Sequence, residues 1–122
     1  MLSFILFLAP VALSPLSEAH QSDIACVAEI AVLADAQKRG FESGTDVRLT
    51  GRRWAGIVGD RIVFETGQPR ELVAFAMQEA AKANGNGGQN DTQRDVCIRQ
   101  MLRELVAADA AGQPLPKPVK AR

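Results

Sequence analysis

Two cysteines constrain this chain more than any other feature. Cys26 and Cys97 are its only cysteines, and each begins an apolar stripe with the three- or four-residue spacing of one helix face. Because an apolar, signal-like segment precedes them, we predict one structural disulfide that joins the first long helix to the last. The two stripes are Cys26, Ile30 and Leu33, and Cys97, Met101, Leu105 and Ala108.

The alternatives to a disulfide are less favoured. Two cysteines and one histidine do not complete the usual four-ligand zinc shell, and their spacing is unlike the C-x-x-C of redox pairs. A pair of buried free thiols remains open. Closing a loop of about 70 residues stabilises a protein by roughly 4 kcal/mol in the chain-entropy model. Because whole domains are stable by only about 5–15 kcal/mol, such a bridge would matter greatly.

The N-terminus has the features of an export signal. Residues 2–13 are mostly apolar, a run as long as a signal-peptide core and shorter than the roughly 20 residues of a membrane span. Ser17 and Ala19 place small residues at the −3 and −1 positions, so we predict a signal peptide over residues 1–19 and a mature chain from His20. No Lys or Arg precedes the apolar run, which leaves an uncleaved anchor or a buried first helix as alternatives.

Residues 20–112 are predicted to form an all-α domain, followed by a disordered, Pro-rich basic tail over 113–122. The first helix is apolar around most of its girth, which is typical of a central helix. Both cysteines lie near the N-terminal ends of their helices, and a regular up-and-down bundle would hold those ends about 20 Å apart. Disulfide Cα atoms lie within about 7 Å, so we expect a small irregular (orthogonal) bundle. The four predicted helices are Asp23–Arg39, Arg52–Thr66, Pro69–Ala83 and Thr92–Ala111. The third is predicted to turn Leu72, Val73, Phe75, Ala76, Ala80 and Ala83 inward.

Residues 46–66 allow two interpretations. The β-prone residues 61–66 would pair with 46–50 in a hairpin. A helical stripe also runs through the segment, and it favours a helix, in which close packing of a neighbouring helix explains the three glycines Gly51, Gly56 and Gly59. The stripe consists of Trp54, Ile57, Val58, Ile62 and Glu65.

The sequence contains little evidence for a catalytic site. The single histidine, His20, lies at the edge of the domain, so no serine, threonine or cysteine has a histidine base within it. Acids beside the apolar stripes are predicted to form ion pairs rather than an active site. We therefore predict no catalytic residues, no metal site and no cofactor, with a small hydrolase built on converging carboxylates as the alternative. The acids are Glu29, Asp35 and Glu65, with Arg61 or Arg99 as partners.

The charge pattern indicates one candidate surface. The chain has 14 basic and 14 acidic residues, and loss of Glu18 with the signal leaves 14 against 13, a balance that does not favour nucleic-acid binding. Arg48, Arg52 and Arg53 cluster beside Trp54, and arginine and tryptophan are enriched at interaction hot spots. These four residues form the predicted contact patch, although Trp54 also begins a core stripe.

We therefore expect a non-enzymatic helical protein, periplasmic or secreted, that acts by protein–protein contact in a chaperone-like, inhibitor-like or accessory role. Its protein partner is unknown, and no stable membrane insertion is expected after signal cleavage. Small periplasmic acid chaperones are similar in size, helicity and single bridge, a likeness of architecture without a shared motif. If the signal is not cleaved, a membrane-tethered accessory subunit is the alternative.

Overall fold

The computed structural model describes residues 16–86 and 91–112, and all regular secondary structure in them is helical. The predicted helix over residues 52–66 is confirmed, and it begins earlier than expected, at Arg48. Most of the predicted signal segment and the predicted tail 113–122 lie outside the described residues. The four helices are α1 (Glu18–Lys38), α2 (Arg48–Thr66), α3 (Arg70–Asn86) and α4 (Asp91–Gly112).

The first helix, α1, is central, as its apolar girth predicts. It contacts each of the other helices, whereas α3 and α4 do not pack on each other in the part of the chain that the structure describes. This differs from the regular up-and-down bundle, in which successive helices are neighbours. The buried residues of α1 are Ile24, Cys26, Val27, Ala28, Glu29, Ile30 and Leu33.

The predicted disulfide is confirmed. Cys26 and Cys97 are bonded, with 5.2 Å between their Cα atoms, and both are buried. The predicted stripes of α2 and α4 also lie in the core, where Trp54, Val58, Ile62 and Met101 are fully buried. No helix within the described residues is long and apolar enough to cross a bilayer.

The start of α1 lies five residues before the predicted one, because a capping box forms there. The Ser17 hydroxyl accepts a hydrogen bond from the His20 backbone N–H (3.1 Å), and His20 Nδ1 accepts one from the Ser17 backbone N–H (3.2 Å). Histidine takes the place of the usual Glu or Gln in this motif. Leu16 packs against the core. The predicted cleavage site after Ala19 therefore lies inside the first turn of α1.

The predicted inward face of α3 is confirmed at Val73, Ala76 and Ala80 and wrong at its edges. Val73 is buried, and three further side chains of the same face pack on the core with it. Leu72 and Phe75, which we expected to point inward, are 54% and 58% exposed, and Ala83 is exposed as well. Alanines in the contact face allow a close approach that leaves the larger residues at its edge outside. That face consists of Val73, Ala76, Met77 and Ala80.

Candidate functional site

A glutamine at the end of α1 fixes the corner between α1 and α2. The Gln37 side chain donates to the carbonyl oxygen of Thr45 (2.6 Å) and accepts from the backbone N–H of Val47 (3.0 Å). Val47 is itself fully buried. These contacts hold the first turn of α2 beside the last turn of α1, so the basic residues of the two turns line one surface.

That surface is a groove between α1 and α2. One cavity of about 200 Å³ lies over small and apolar residues, and a second of about 190 Å³ shares Ala34, Arg48 and Arg52 with it and extends to Lys38. A Cβ atom at Gly51 would lie 2.7 Å from Ile30 Cγ2, so glycine is what allows the two helices to approach here. We call these two cavities the α1–α2 groove; its floor is Val27, Ala31, Ala34, Gly51 and Ala55.

The rim of the groove carries a net positive charge, because Asp35, the acid that lines its second cavity, is paired with Arg39. Arg48 donates from its side chain to both carboxylate oxygens of Asp46 (3.0 and 2.9 Å). These side-chain hydrogen bonds, with one from the Arg48 backbone, lower the pKa of Asp46 to about 2, so Asp46 stays ionised and offsets Arg48. Arg52 and Lys38 make no ion pair with any described residue. Two cations are therefore available to a ligand.

The predicted contact patch is not a single surface. Arg48 and Arg52, one helical turn apart, both line the groove. Arg53 points elsewhere and pairs with Asp109 of α4. Trp54 is fully buried, because it belongs to the core stripe of α2, and in this fold it cannot contact a partner.

Trp54 instead leads to a polar network between three helices, which the sequence did not predict. Its indole N–H donates to Glu104 Oε1 (2.7 Å). Arg61 Nη2 donates to the same oxygen (3.2 Å) and to Asp23 Oδ2 (3.0 Å). Gln100 Nε2 donates to Asp23 (2.9 Å) and Glu104 (3.2 Å). We call these five residues the Glu104 network; it joins α1, α2 and α4.

The contacts within the Glu104 network stabilise the ionised forms of Glu104 and Arg61. Burial acts to raise the pKa of Glu104, but the hydrogen bonds from Trp54, Gln100 and Arg61, with the charge of Arg61, outweigh it and lower that pKa. For Arg61, burial acts to lower the pKa, and attraction to Glu104 and Asp23 reverses the effect and raises it. Each carboxylate oxygen has a donor, so the geometry favours a structural role. Because a buried indole N–H requires an acceptor, a buried Trp54 was the sequence feature that indicated a polar partner in the core.

The three acids that the sequence analysis placed beside the apolar stripes do not converge on one site. Glu29 is buried with Arg94 Nε 3.9 Å from its carboxylate, Asp35 pairs with Arg39, and Glu65 lies 2.7 Å from His20 Nε2. Of the two expected partners, Arg61 belongs to the Glu104 network and Arg99 makes no ion pair with a described residue. No group of three metal-binding side chains occurs within residues 16–86 and 91–112.

A larger cavity, of about 530 Å³, lies between α1 and the C-terminal half of α3. It is more open than the first cavity of the α1–α2 groove. Its basic residues are already engaged, since Arg39 pairs with Asp35 and Lys82 with Glu79. The α1–α2 groove is therefore the better candidate for binding.

Comparison of the chain with protein-family models, with curated proteins and with solved structures finds no match.

Proposed function

We propose that this protein works outside the cytoplasm, without catalysis, by binding an acidic segment of a partner protein in the α1–α2 groove. One observation carries the proposal: Arg52 and Lys38, which no described acid neutralises, stand beside an apolar floor. An aliphatic side chain of the partner would occupy the floor. Carboxylates on either side of it would pair with the guanidinium and ammonium groups.

The dimensions favour a peptide segment over a small molecule. Each cavity, about 200 and 190 Å³, is smaller than the roughly 300–1,000 Å³ of sites that enclose drug-sized ligands. The two cavities are contiguous and share Ala34, Arg48 and Arg52, so they suit successive side chains of one extended or helical segment. Protein contact by such a groove is compatible with a chaperone-like, inhibitor-like or accessory role.

Export is supported by the disulfide and by the signal-like N-terminus. Buried disulfides persist in oxidising compartments, which fits the periplasm or the extracellular space. Intact mass spectrometry of the protein from its native host tests this. A disulfide-bonded chain that begins at His20 agrees with a removed signal. A bonded chain that retains the apolar segment supports the membrane-tethered alternative, and a reduced chain contradicts export.

The groove is tested with labelled acidic peptides that contain one leucine, by fluorescence anisotropy. The double variant Arg52→Gln/Lys38→Gln is expected to bind them about tenfold more weakly, because exposed ion pairs contribute up to about 1 kcal/mol each. The matched control is Arg99→Gln/Arg103→Gln, which removes the same charge from α4 and should bind as the parent does.

The same peptides with glutamine and asparagine in place of their acids measure specificity. Equal affinity for the acidic and neutral peptides contradicts the proposal, and so does an equal loss of binding in the two double variants. Ala55→Leu, which fills the floor, should weaken binding of the leucine-containing peptide while leaving its salt dependence unchanged.

A further inference from the structure

The exposed face of α4 is both apolar and basic. Val96 and Leu102 are each 41% exposed and Val106 is 69% exposed, while Cys97, Met101 and Leu105 on the opposite side are buried. By helical spacing, the exposed residues share one face with two arginines. We call this surface the α4 outer face: Val96, Arg99, Leu102, Arg103, Val106 and Ala110.

The charge of the α4 outer face is positive. The side chains of Arg99 and Arg103 make no ion pair or hydrogen bond with a described residue. The nearby acids Glu104 and Asp109 are engaged by Arg61 and Arg53, which leaves Asp95 as the acid at the edge of this face. The sequence after Gly112 adds three bases and no acid: Lys117, Lys120 and Arg122.

We infer that the α4 outer face binds an anionic lipid surface, with the helix lying in the plane of the headgroups. Leu102 and Val106 would enter the headgroup–acyl boundary, and the arginine stems would lie along it with their charges at the phosphates. Each Lys or Arg beside an anionic bilayer strengthens binding by about fivefold. This is attachment at the surface, which agrees with the lack of a membrane-crossing helix among the described residues.

The shape and charge of the face favour lipid over a second copy of the chain. A two-fold contact brings the same patch of both copies together, which would place the Arg99 and Arg103 side chains of one copy against those of the other. A bilayer instead offers many phosphates to a convex helix that has no cleft for a peptide. The α1–α2 groove is lined by α1 and α2, so lipid binding through α4 leaves it accessible.

The experiment is co-sedimentation of the exported protein with phosphatidylcholine vesicles, with and without phosphatidylglycerol. The ratio of affinities for anionic and neutral vesicles is the readout, because binding through the apolar N-terminal segment does not depend on lipid charge. Arg99→Gln/Arg103→Gln should lower the ratio about 25-fold, from about fivefold per arginine. The control Arg52→Gln/Lys38→Gln removes the same charge from the groove and should keep the parent ratio.

A second variant tests the apolar contribution. Leu102→Ser/Val106→Ser should weaken binding to anionic vesicles and leave its salt dependence unchanged. Thermal unfolding confirms that each variant is folded. The inference is overturned if the parent binds neutral and anionic vesicles equally, or if both double charge variants lose binding equally.

Substituting Lys117, Lys120 and Arg122 by glutamine separates the helix from the tail. If that variant alone loses binding and Arg99→Gln/Arg103→Gln retains it, the α4 outer face is not the docking surface and the inference is wrong. Peptide binding in the groove is measured separately, so a failure here is distinguishable from a failure of the proposed function.

Discussion

The two sides of α1 are joined to the rest of the molecule by different means. On one side, α4 is connected by the Cys26–Cys97 disulfide, by the Glu104 network and by the Arg53–Asp109 pair. On the other side, α3 makes more extensive contact with α1 than α4 does, and its Val73, Ala76, Met77 and Ala80 pack in the core.

The difference follows from the size of the side chains at each contact. Alanine allows helices to approach closely, so dispersion and apolar burial hold α3 on α1. The ion pair that α3 makes with another helix, Arg70–Asp60, joins it to α2. At α4 the larger Met101 and Leu105 enter the core, and the covalent and polar links fix the position of the helix. We expect α4 to depend on specific bonds and α3 to depend on packing.

The largest expected effect is on the disulfide. Cys26→Ala/Cys97→Ala should lower the free energy of unfolding by about 4 kcal/mol, because it releases a long loop in the unfolded chain. Urea denaturation measures the loss. Hydrogen exchange should show that α4 loses protection before α3 does.

Chemical reduction of the unmodified protein is the control and should produce the same order of loss. Equal loss of protection in α3 and α4 would contradict the contrast between the two sides.

Glu104→Ala should lower the free energy of unfolding by about 2 kcal/mol, since it leaves the partly buried Trp54 N–H without an acceptor and the Arg61 guanidinium with Asp23 as its remaining acceptor. Thermal or urea unfolding, followed by the fluorescence of Trp54, measures it. Glu104→Gln keeps a carbonyl oxygen for Trp54 and should lose less; an equal loss would show that the indole contact contributes nothing.

The pH dependence of the free energy of unfolding gives a second test of the Glu104 contacts. The pKa of Glu104 is lower in the folded protein than its ordinary value of 4.5, so its ionised form favours folding. That contribution is complete above about pH 4.5 and is lost as the pH falls through the folded pKa. Below pH 4.5 the parent should therefore lose stability that Glu104→Gln never had. Parallel stability curves for the two proteins would contradict this.

At the packed contact between α1 and α2, two glycines of α2 form a matched pair. Gly51→Ala should destabilise by about 1–2 kcal/mol, because its Cβ meets Ile30 Cγ2 at 2.7 Å and overpacking outweighs the gain in helix propensity. Gly56→Ala meets no atom within 4 Å and should stabilise by up to about 1 kcal/mol. Thermal unfolding of both distinguishes them, and the same sign for both would contradict the close approach of α1 and α2.

The smallest expected effect is at the start of α1. Ser17→Ala removes the helix cap and should lower the free energy of unfolding by about 1 kcal/mol. Cleavage after Ala19 removes the same cap, so a chain that begins at His20 should lose at least as much. Urea denaturation of the two forms compares them, and equal stability of parent, variant and shortened chain would show that the cap has no effect.

The sequence predicted the features that depend on local pattern or on elimination. With two cysteines, one pairing is available, and the helical stripes of α2 and α4 placed Trp54 and Met101 inward. The start of α1 was missed because histidine is not the usual partner in a capping box. Leu72 and Phe75 were misplaced because size alone does not choose between adjacent edges of a helix.

The groove and the Glu104 network could not be predicted, because they depend on contacts between residues that are far apart in the sequence. Arg61 meets Asp23 and Glu104 from residues 38 and 43 positions away, and the groove exists because Gln37 fixes the corner that brings Lys38 beside Arg52. Arg53 was grouped with Arg52 because they are adjacent in sequence. Adjacent residues of a helix point about 100° apart, so they face different neighbours.

The bond between Cys26 and Cys97 turns the middle of the chain into a closed ring that contains α2, α3 and parts of α1 and α4. A single peptide bond broken anywhere in that ring leaves one molecule, which gains only a water and migrates as an intact protein until a reductant is added. A single backbone cleavage within the ring is therefore not detected by electrophoresis under non-reducing conditions. The two arms outside the ring, which include the start of α1 and the outer face of α4 from Arg99 onward, are the parts that one cut can release.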